Sequence, residues 1–132
     1  QKGDTVQQPV YSMLTCLRTD QQVTISPNKV LIVEGILILT QPEIRDLMSI
    51  KIFIDADADH RLMRVVKRDM EERGRDIDQV MTRYLNTVRP MHEQFIEPSK
   101  RFADIIVPVG GDNHVAIDLL SQYIASQLSD SA

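Results

Sequence analysis

Three short segments rich in apolar residues, at 30–33, 50–54 and 103–107, constrain the fold most because helical segments separate them. The first is a continuous aliphatic run, which is typical of a strand that is covered on both faces, and the other two are also predicted as buried strands. Between the runs, apolar residues recur at the spacing of an amphipathic helix. The order strand, helix, strand, helices, strand, helix predicts an α/β fold with a parallel sheet and helices on both faces.

Further elements are predicted around this sheet. Two β-rich runs, 10–18 and 22–26, read as a hairpin joined by Thr19-Asp20-Gln21. A proline disfavours helical backbone in the residue before it, so Pro90 and Pro98 are expected to interrupt the helical region. The predicted helices are 42–48, 59–73 (ended by Gly74), 76–88, 91–100 and 115–128, with a turn at Gly110-Gly111.

Composition narrows the class of protein. The 132 residues suffice for one domain, and a net charge of −4 argues against a nucleic-acid partner. Cys16 is the single cysteine, which favours a reducing cytoplasm over a disulfide framework. No apolar run approaches the ~20 residues of a membrane span, so no membrane partner is expected. The chain begins with Gln1, and we therefore expect a fragment or a trimmed chain.

Glu34 ends the first aliphatic run and is the candidate metal ligand. In parallel α/β sheets, ligands collect beyond the carboxyl ends of the strands. Glu34, Asp55 and the segment 108–111 all follow predicted strands, so they are expected to meet around one crevice. A carboxylate there could hold Mg²⁺, directly or through water. The alternative is a strand-end glutamate that faces solvent or pairs with an arginine.

Basic residues gather along the predicted helix 59–73. At about 100° per residue, Arg61, Arg64 and Arg68 fall on one arc. The packed face is predicted to comprise Leu62, Val65, Val66 and Met70. Arginine presents a planar fork of donors that suits phosphate oxygens. The pattern therefore favours phosphate binding, and phosphoryl transfer depends on such electrostatic positioning.

Two further arginines, Arg73 and Arg75, flank Gly74 at the predicted end of this helix, where the glycine could act as a hinge. Acidic residues lie among the arginines: Asp69, Glu71 and Glu72. A solvated, charge-laced helix face is therefore the alternative to a phosphate site.

Two motifs are excluded. No glycine is followed by Lys-Ser or Lys-Thr, so the chain has no GxxxxGK[ST] phosphate-binding loop. Asp55, Asp57 and Asp59 alternate as in a calcium loop, but His60 occupies the position that requires glycine. Asp57 or Asp59 is better interpreted as a helix N-cap.

Over nearly its whole length the chain resembles the uridine kinase (uridine–cytidine kinase) family. The matching stretches are VEGIL at 33–37, IFIDADADHRL at 52–62, KRDMEERGRD at 67–76 and VRPMHEQFIEPSKRFADIIVP at 88–108. The resemblance implies a P-loop nucleoside kinase fold. It also implies that the P-loop and the aspartate base lie upstream of Gln1.

The resemblance implies roles at matching positions. Glu34 would help hold Mg²⁺, and Tyr11 would lie on a hairpin that clasps the pyrimidine base. Arg64 and the turn that contains Gly111 and Asn113 would contact the nucleotide cofactor. The lid arginines would close over the phosphates of ATP (or GTP) and neutralise charge during transfer to the nucleoside 5′-hydroxyl: Arg68, Arg73 and Arg75.

The acceptor-binding positions depart from the family pattern. Many relatives have a base-contacting histidine at Cys16, an arginine at Val65 and a glutamine at Arg83, and Ser12 replaces a common aspartate. Arg83 could supply the guanidinium that Val65 lacks, which is a hypothesis about substrate binding.

The resulting expectation is the C-terminal portion of a cytoplasmic, ATP-dependent uridine/cytidine kinase of pyrimidine salvage, inactive alone. Residues 1–28 would form the substrate hairpin, residues 29–128 the α/β core, and residues around 61–76 an arginine lid. Relatives suggest a homo-oligomer. Two alternatives stay open: a kinase of the phosphoribulokinase type for another small acceptor, and a non-catalytic nucleotide-binding or oligomerisation module.

Overall fold

The computed structural model describes residues 3–109 and 112–129, and its fold is α/β, as predicted. The strands are β1 (Val6–Ser12), β2 (Leu17–Ile25), β3 (Ile52–Ile54) and β4 (Ile105–Val107). The helices are α1 (Pro42–Arg45), α2 (Ala58–Glu71), α3 (Ile77–Arg83), α4 (Arg89–Met91), α5 (Glu97–Ser99) and α6 (His114–Ser129). The predicted turn at Gly110-Gly111 lies outside the described residues.

The parallel sheet is formed by β3 and β4, which confirms two of the three predicted strands, but only Phe53 and Val107 in them are buried. Ile52 pairs with Ile105 and Ile54 with Val107, so both strands end at the same edge. Beyond that edge the Asp55 N–H donates to the Val107 carbonyl at 2.8 Å. The buried apolar residues of the described chain are Leu39, Phe53, Val80, Tyr84 and Val107.

The prediction of a buried strand at residues 30–33 is wrong. This segment has no strand hydrogen bonding, and Leu31 and Ile32 are 71% and 76% exposed. A strand requires a neighbour for its backbone donors and acceptors. No described segment pairs with residues 30–33, so their apolar sequence alone does not produce a strand.

The hairpin is confirmed, but the prediction of its turn is wrong. The turn occupies residues 13–16, where the Thr15 N–H donates to Ser12 Oγ at 3.2 Å and Cys16 adopts a φ of 55°. Residues 19–21, predicted as the turn, lie inside β2. There the Thr19 hydroxyl donates to the Val10 carbonyl at 3.1 Å across the ladder. A polar triplet is therefore accommodated in an exposed two-stranded sheet, which has no buried face to exclude it.

The helical region does not break at either proline, contrary to the prediction. An unbroken helical run extends from Ile77 to Phe102 and widens into π-helical turns at Tyr84–Val88 and His92–Ile96. Each wide turn is closed by the residue directly before a proline: the Arg89 N–H donates to the Tyr84 carbonyl and the Glu97 N–H to the His92 carbonyl. A wider turn leaves room for a proline ring that would otherwise clash with the carbonyl four residues earlier. No helix in the described residues is long and apolar enough to span a bilayer.

A sharp elbow separates α2 from α3. Gly74 has a φ of +61°, and a Cβ there would meet nothing within 4 Å. Asp76 then starts α3 with a capping box, in which its carboxylate accepts the Gln79 N–H at 2.8 Å and the Gln79 side chain accepts the Asp76 N–H at 3.3 Å. The elbow therefore depends on backbone conformation at Gly74 and on capping at Asp76, without steric contact at the glycine.

We predict that Gly74→Ala lowers the free energy of unfolding of the complete protein by about 1 kcal/mol, because alanine resists a left-handed φ. Gly74→Asn is the matched control, since asparagine tolerates this conformation better. Urea unfolding measures both variants. Equal stability of the two variants would contradict a requirement for left-handed backbone at this position.

Candidate functional site

The side chain of Asp69 organises the most strongly charged site in the described residues. Asp69 lies in the last turns of α2 and its side chain is 1% exposed. Four arginines donate hydrogen bonds to its two carboxylate oxygens: Arg68, Arg73, Arg75 and Arg83. We call these four residues the arginine cluster.

Each oxygen of the Asp69 carboxylate accepts hydrogen bonds from two of the four arginines. Oδ1 accepts from Arg68 Nε at 3.0 Å and Nη2 at 2.9 Å, and from Arg73 Nη1 at 3.1 Å. Oδ2 accepts from Arg75 Nη1, and from Arg83 Nη1 at 3.2 Å. The carboxylate thus receives five hydrogen bonds, which satisfies a charged group that would be costly to bury alone.

Three different local structures bring the cluster together. Arg68 belongs to the last turn of α2, whereas Arg73 and Arg75 follow it on either side of Gly74. The Arg75 N–H also donates to the Asp69 backbone carbonyl at 3.1 Å, which holds the elbow against the helix end. Arg83 arrives from the last turn of α3. The cluster therefore requires the elbow, and α3 must fold back beside α2.

Asp69 remains ionised in this setting. Burial by itself raises the pKa of its carboxyl, but hydrogen bonds from Arg68 and Arg75, with the nearby positive charges of Arg68 and Arg73, lower it, and the net direction is downward. Four positive charges against one negative charge leave a net charge of +3. The arginine side chains are 21–44% exposed, so part of each guanidinium is accessible to a ligand.

This arrangement brings together residues whose predicted roles differed. The predicted lid arginines and the predicted substrate-binding Arg83 share one carboxylate. Asp69 was interpreted, with Glu71 and Glu72, as a sign of a solvated helix face, and for Asp69 that interpretation is wrong because its side chain is 1% exposed. A sequence signal existed: Asp69 is seven residues after Leu62, so it falls on the apolar face of α2 rather than on the solvated one.

An open cavity of about 660 Å³ adjoins the cluster along α3. Its lining residues carry polar groups and include one arginine and two aspartates: Arg83, Asp76 and Asp78, with Gln79, Thr82, Asn86 and Thr87. Carboxylate, amide and hydroxyl groups of this kind can hydrogen-bond a polar small molecule. Arg83 therefore belongs both to the cluster and to the wall of the cavity.

Two predicted cofactor residues lie near each other. Arg64 on α2 forms an exposed ion pair with Asp112 at 3.3 Å. Asn113, the next residue, caps α6: its side-chain oxygen accepts the Ala116 N–H at 3.0 Å and its amide donates to the Pro108 carbonyl at 3.3 Å. Gly111, the third predicted cofactor residue, lies outside the described residues.

The remaining predicted residues are exposed. Tyr11 lies on β1 and is 50% exposed, and Cys16 is an exposed thiol in the hairpin turn rather than a small buried hydrophobe. Glu34 is also exposed and follows the irregular segment 30–33 instead of a strand. The predicted crevice is therefore incomplete: Asp55 and Pro108 follow paired strands at one edge, whereas Glu34 follows none.

A lysine occupies part of that edge. Lys100 Nζ lies 2.6 Å from Asp55 Oδ2 and 3.6 Å from Glu97 Oε1. The pKa of the nearby His92 is lowered, chiefly by burial and next by the positive charge of Arg61. The negative charges of Glu97, Glu93 and Asp55 oppose this shift. Asp55 thus ties the helical run to β3 by an ion pair.

Two aspartates of the rejected calcium-loop pattern lie close to His60, the residue that breaks that pattern. Ligand atoms of Asp57, Asp59 and His60 lie within 4.8 Å of one another, and all three residues are exposed. Asp57 occupies the N-cap position of α2 with extended backbone, but its side chain makes no capping hydrogen bond. Asp57 is therefore confirmed as the residue at the N-cap position of α2, but its carboxylate accepts no hydrogen bond from the backbone of the helix.

The fold and site define an α/β protein with a partly exposed cluster of cations where α2 and α3 meet. A sequence model described as "Phosphoribulokinase / Uridine kinase family" matches residues 1–116. The chain therefore belongs to the phosphoribulokinase/uridine kinase family, whose fold is that of the P-loop NTPase kinases.

Curated relatives agree with this assignment. The chain is 52% identical over 125 residues to a uridine kinase of Bacillus mycoides (strain KBAB4), covering 95% of this chain and 59% of the relative. It is 54% identical over 123 residues to a uridine kinase of Bacillus cereus (strain AH187), and the match covers 93% of this chain and 58% of the relative. It is 52% identical over 127 residues to a uridine kinase of Brevibacillus brevis, and the match covers 96% of this chain and 59% of the relative. The chain thus spans about three fifths of the length of these relatives.

Proposed function

We propose that the complete protein phosphorylates uridine or cytidine to the 5′-monophosphate, with ATP or GTP as phosphoryl donor. The observation that carries the proposal is the arginine cluster, which concentrates a net charge of +3 in a chain about half identical to proteins named uridine kinase. Phosphoryl transfer requires neutralisation of phosphate charge more than covalent chemistry by the protein. A cluster of guanidiniums meets that requirement.

The arginines would act on the donor phosphates. Arg68, Arg73 and Arg75 expose part of their guanidiniums, and each planar fork can donate to two phosphate oxygens. Bound in this way, the cluster would reduce repulsion between the phosphates and the approaching 5′-hydroxyl oxygen. In this proposal Gly74, with its left-handed backbone, would serve as the hinge by which the segment between α2 and α3 closes over the nucleotide.

Glu34 is the proposed Mg²⁺ ligand. An exposed carboxylate fits this ion, because Mg²⁺ prefers oxygen ligands, takes one or two carboxylates and keeps several waters. When bound, the metal would supply positive charge at the phosphates. The exposed Tyr11 and Cys16 would contribute to the nucleoside side from the hairpin, and Arg64 with Asn113 to the nucleotide side.

In this proposal the chain is the C-terminal portion of a single kinase domain, and it spans about three fifths of the relatives' length. Residues 1–28 form the substrate hairpin and residues 29–128 the α/β core. A cytoplasmic location, pyrimidine salvage as the pathway and homo-oligomeric assembly are part of the same proposal.

Arg68→Ala in the complete protein should lower kcat/KM for ATP by about 100-fold, because one phosphate-neutralising group is lost. Arg89→Ala is the matched control: it removes an arginine whose partner is the exposed Glu93. A coupled assay with uridine, cytidine and ribulose 5-phosphate as alternative acceptors measures the rates. Equal losses in the two variants would contradict a special role for the cluster.

A second candidate function is phosphorylation of a sugar phosphate, as in phosphoribulokinase-type relatives. The observation that favours it is Arg83, a cation on the cavity wall where many uridine kinases have glutamine. An anionic acceptor would gain from that charge, whereas a nucleoside would use it as a hydrogen-bond donor. Turnover with ribulose 5-phosphate and none with nucleosides would replace the first proposal by this one.

Arg83→Ala should raise the Michaelis constant for uridine about 10-fold, because a hydrogen-bond donor to the bound nucleoside is lost. Arg83→Gln, which restores the residue common in uridine kinases, should recover most of this loss. Initial rates at varied uridine with saturating ATP give the constants. An unchanged uridine constant in Arg83→Ala would rule out the substrate-binding role.

A further inference from the structure

The buried carboxylate of Asp69 has no explanation in the phosphate chemistry itself. Its side chain is 1% exposed and lies behind the arginines, so it cannot reach a phosphate bound on their outer side. An acidic group also lowers the positive charge available to an anionic ligand. Its presence at the centre of the cluster therefore requires a reason other than direct ligand contact.

The N–H donors of the four guanidiniums suggest why a carboxylate lies at the centre of the cluster. Each guanidinium has five N–H donors, and the carboxylate takes two from Arg68 and one from each of the other three. Most donors of the cluster thus stay available for a ligand. The inner donors are fixed, which reduces the freedom that long arginine side chains would lose on binding phosphate.

The four guanidiniums of the cluster repel one another because all lie within hydrogen-bonding distance of one carboxylate. Arg83 also lies on a different helix from Arg68. Without a central anion these side chains would extend separately into solvent. Each of the four nevertheless reaches the same group.

We propose that Asp69 is a positioning residue that holds Arg68, Arg73 and Arg75 in one array for binding donor phosphates and fixes Arg83, on the cavity side, to the same carboxylate. This inference rests on the proposed kinase function and adds a residue that touches neither substrate nor metal. It differs from a merely structural role because it concerns how tightly phosphate binds and how fast it is transferred per folded molecule.

The test compares Asp69→Asn and Asp69→Glu in the complete protein. Asparagine keeps the shape but removes the charge, so kcat/KM for ATP should fall about 10- to 100-fold. Glutamate keeps the charge and should recover part of that loss. Glu93→Gln is the control, since it neutralises an exposed carboxylate paired with a single arginine outside the cluster. Rates are normalised to the folded fraction of each variant, measured by circular dichroism. A normalised rate of Asp69→Asn equal to that of the wild type would overturn the proposal.

A second pair of variants separates the positioning role of Asp69 from its effect on the net charge. Asp69→Asn combined with Arg83→Gln keeps the net charge of +3, whereas Arg83→Gln alone keeps the anchor. The double variant should be at least ~10-fold below Arg83→Gln in kcat/KM for ATP, because three arginines have lost their common acceptor. Equal values would show that Asp69 merely balances charge.

A binding measurement separates this inference from the proposed function. Calorimetric titration with inorganic tripolyphosphate requires no turnover. If the wild type phosphorylates no acceptor, the proposed function fails, but a ~10-fold weaker Kd for tripolyphosphate in Asp69→Asn would still support the positioning role. An unchanged Kd, or no tripolyphosphate binding by the wild type, would overturn it.

Discussion

The buried ion cluster around Asp69 is the constraint on which the candidate site depends. One carboxylate joins the end of α2, the elbow at Gly74 and the end of α3, because each contributes a guanidinium to it. A buried ionised group is tolerated only when its hydrogen bonds are satisfied, and here five donors satisfy it. Folding of this region and assembly of a cationic surface are consequently the same event.

The parallel strands, helix α2 and the candidate arginines could be predicted from the sequence, because each is indicated by residues that are close together in the chain. The apolar-rich segments that became β3 and β4, the periodicity of α2 and the stop at Gly74 all depend on neighbouring residues. The arginines were recognised from their type and spacing. The role of Asp69 was missed because it depends on the elbow, which turns Arg73 and Arg75 back toward Asp69 and brings Arg83 to it from another helix. Only its position on the apolar face of α2 indicated that it was buried.

Other predictions failed where the outcome depends on nonlocal structure. The run at residues 30–33 has strand composition, but a strand exists only with a hydrogen-bonding neighbour, and no described segment provides one. Glu34 follows this run, so its proposed position at a metal also depends on a pairing that sequence periodicity does not reveal. At Pro90 and Pro98 the helix widened rather than ended, since one longer turn relieves the clash at each ring.

The most direct test of the central claim is a crystal structure of the complete protein with a non-hydrolysable ATP analogue. The account predicts that guanidinium nitrogens of Arg68, Arg73 and Arg75 lie within hydrogen-bonding distance of phosphate oxygens. It also predicts that Asp69 still accepts hydrogen bonds from their inner sides. Phosphates bound away from these arginines, or arginines that leave Asp69 to reach the nucleotide, would contradict it.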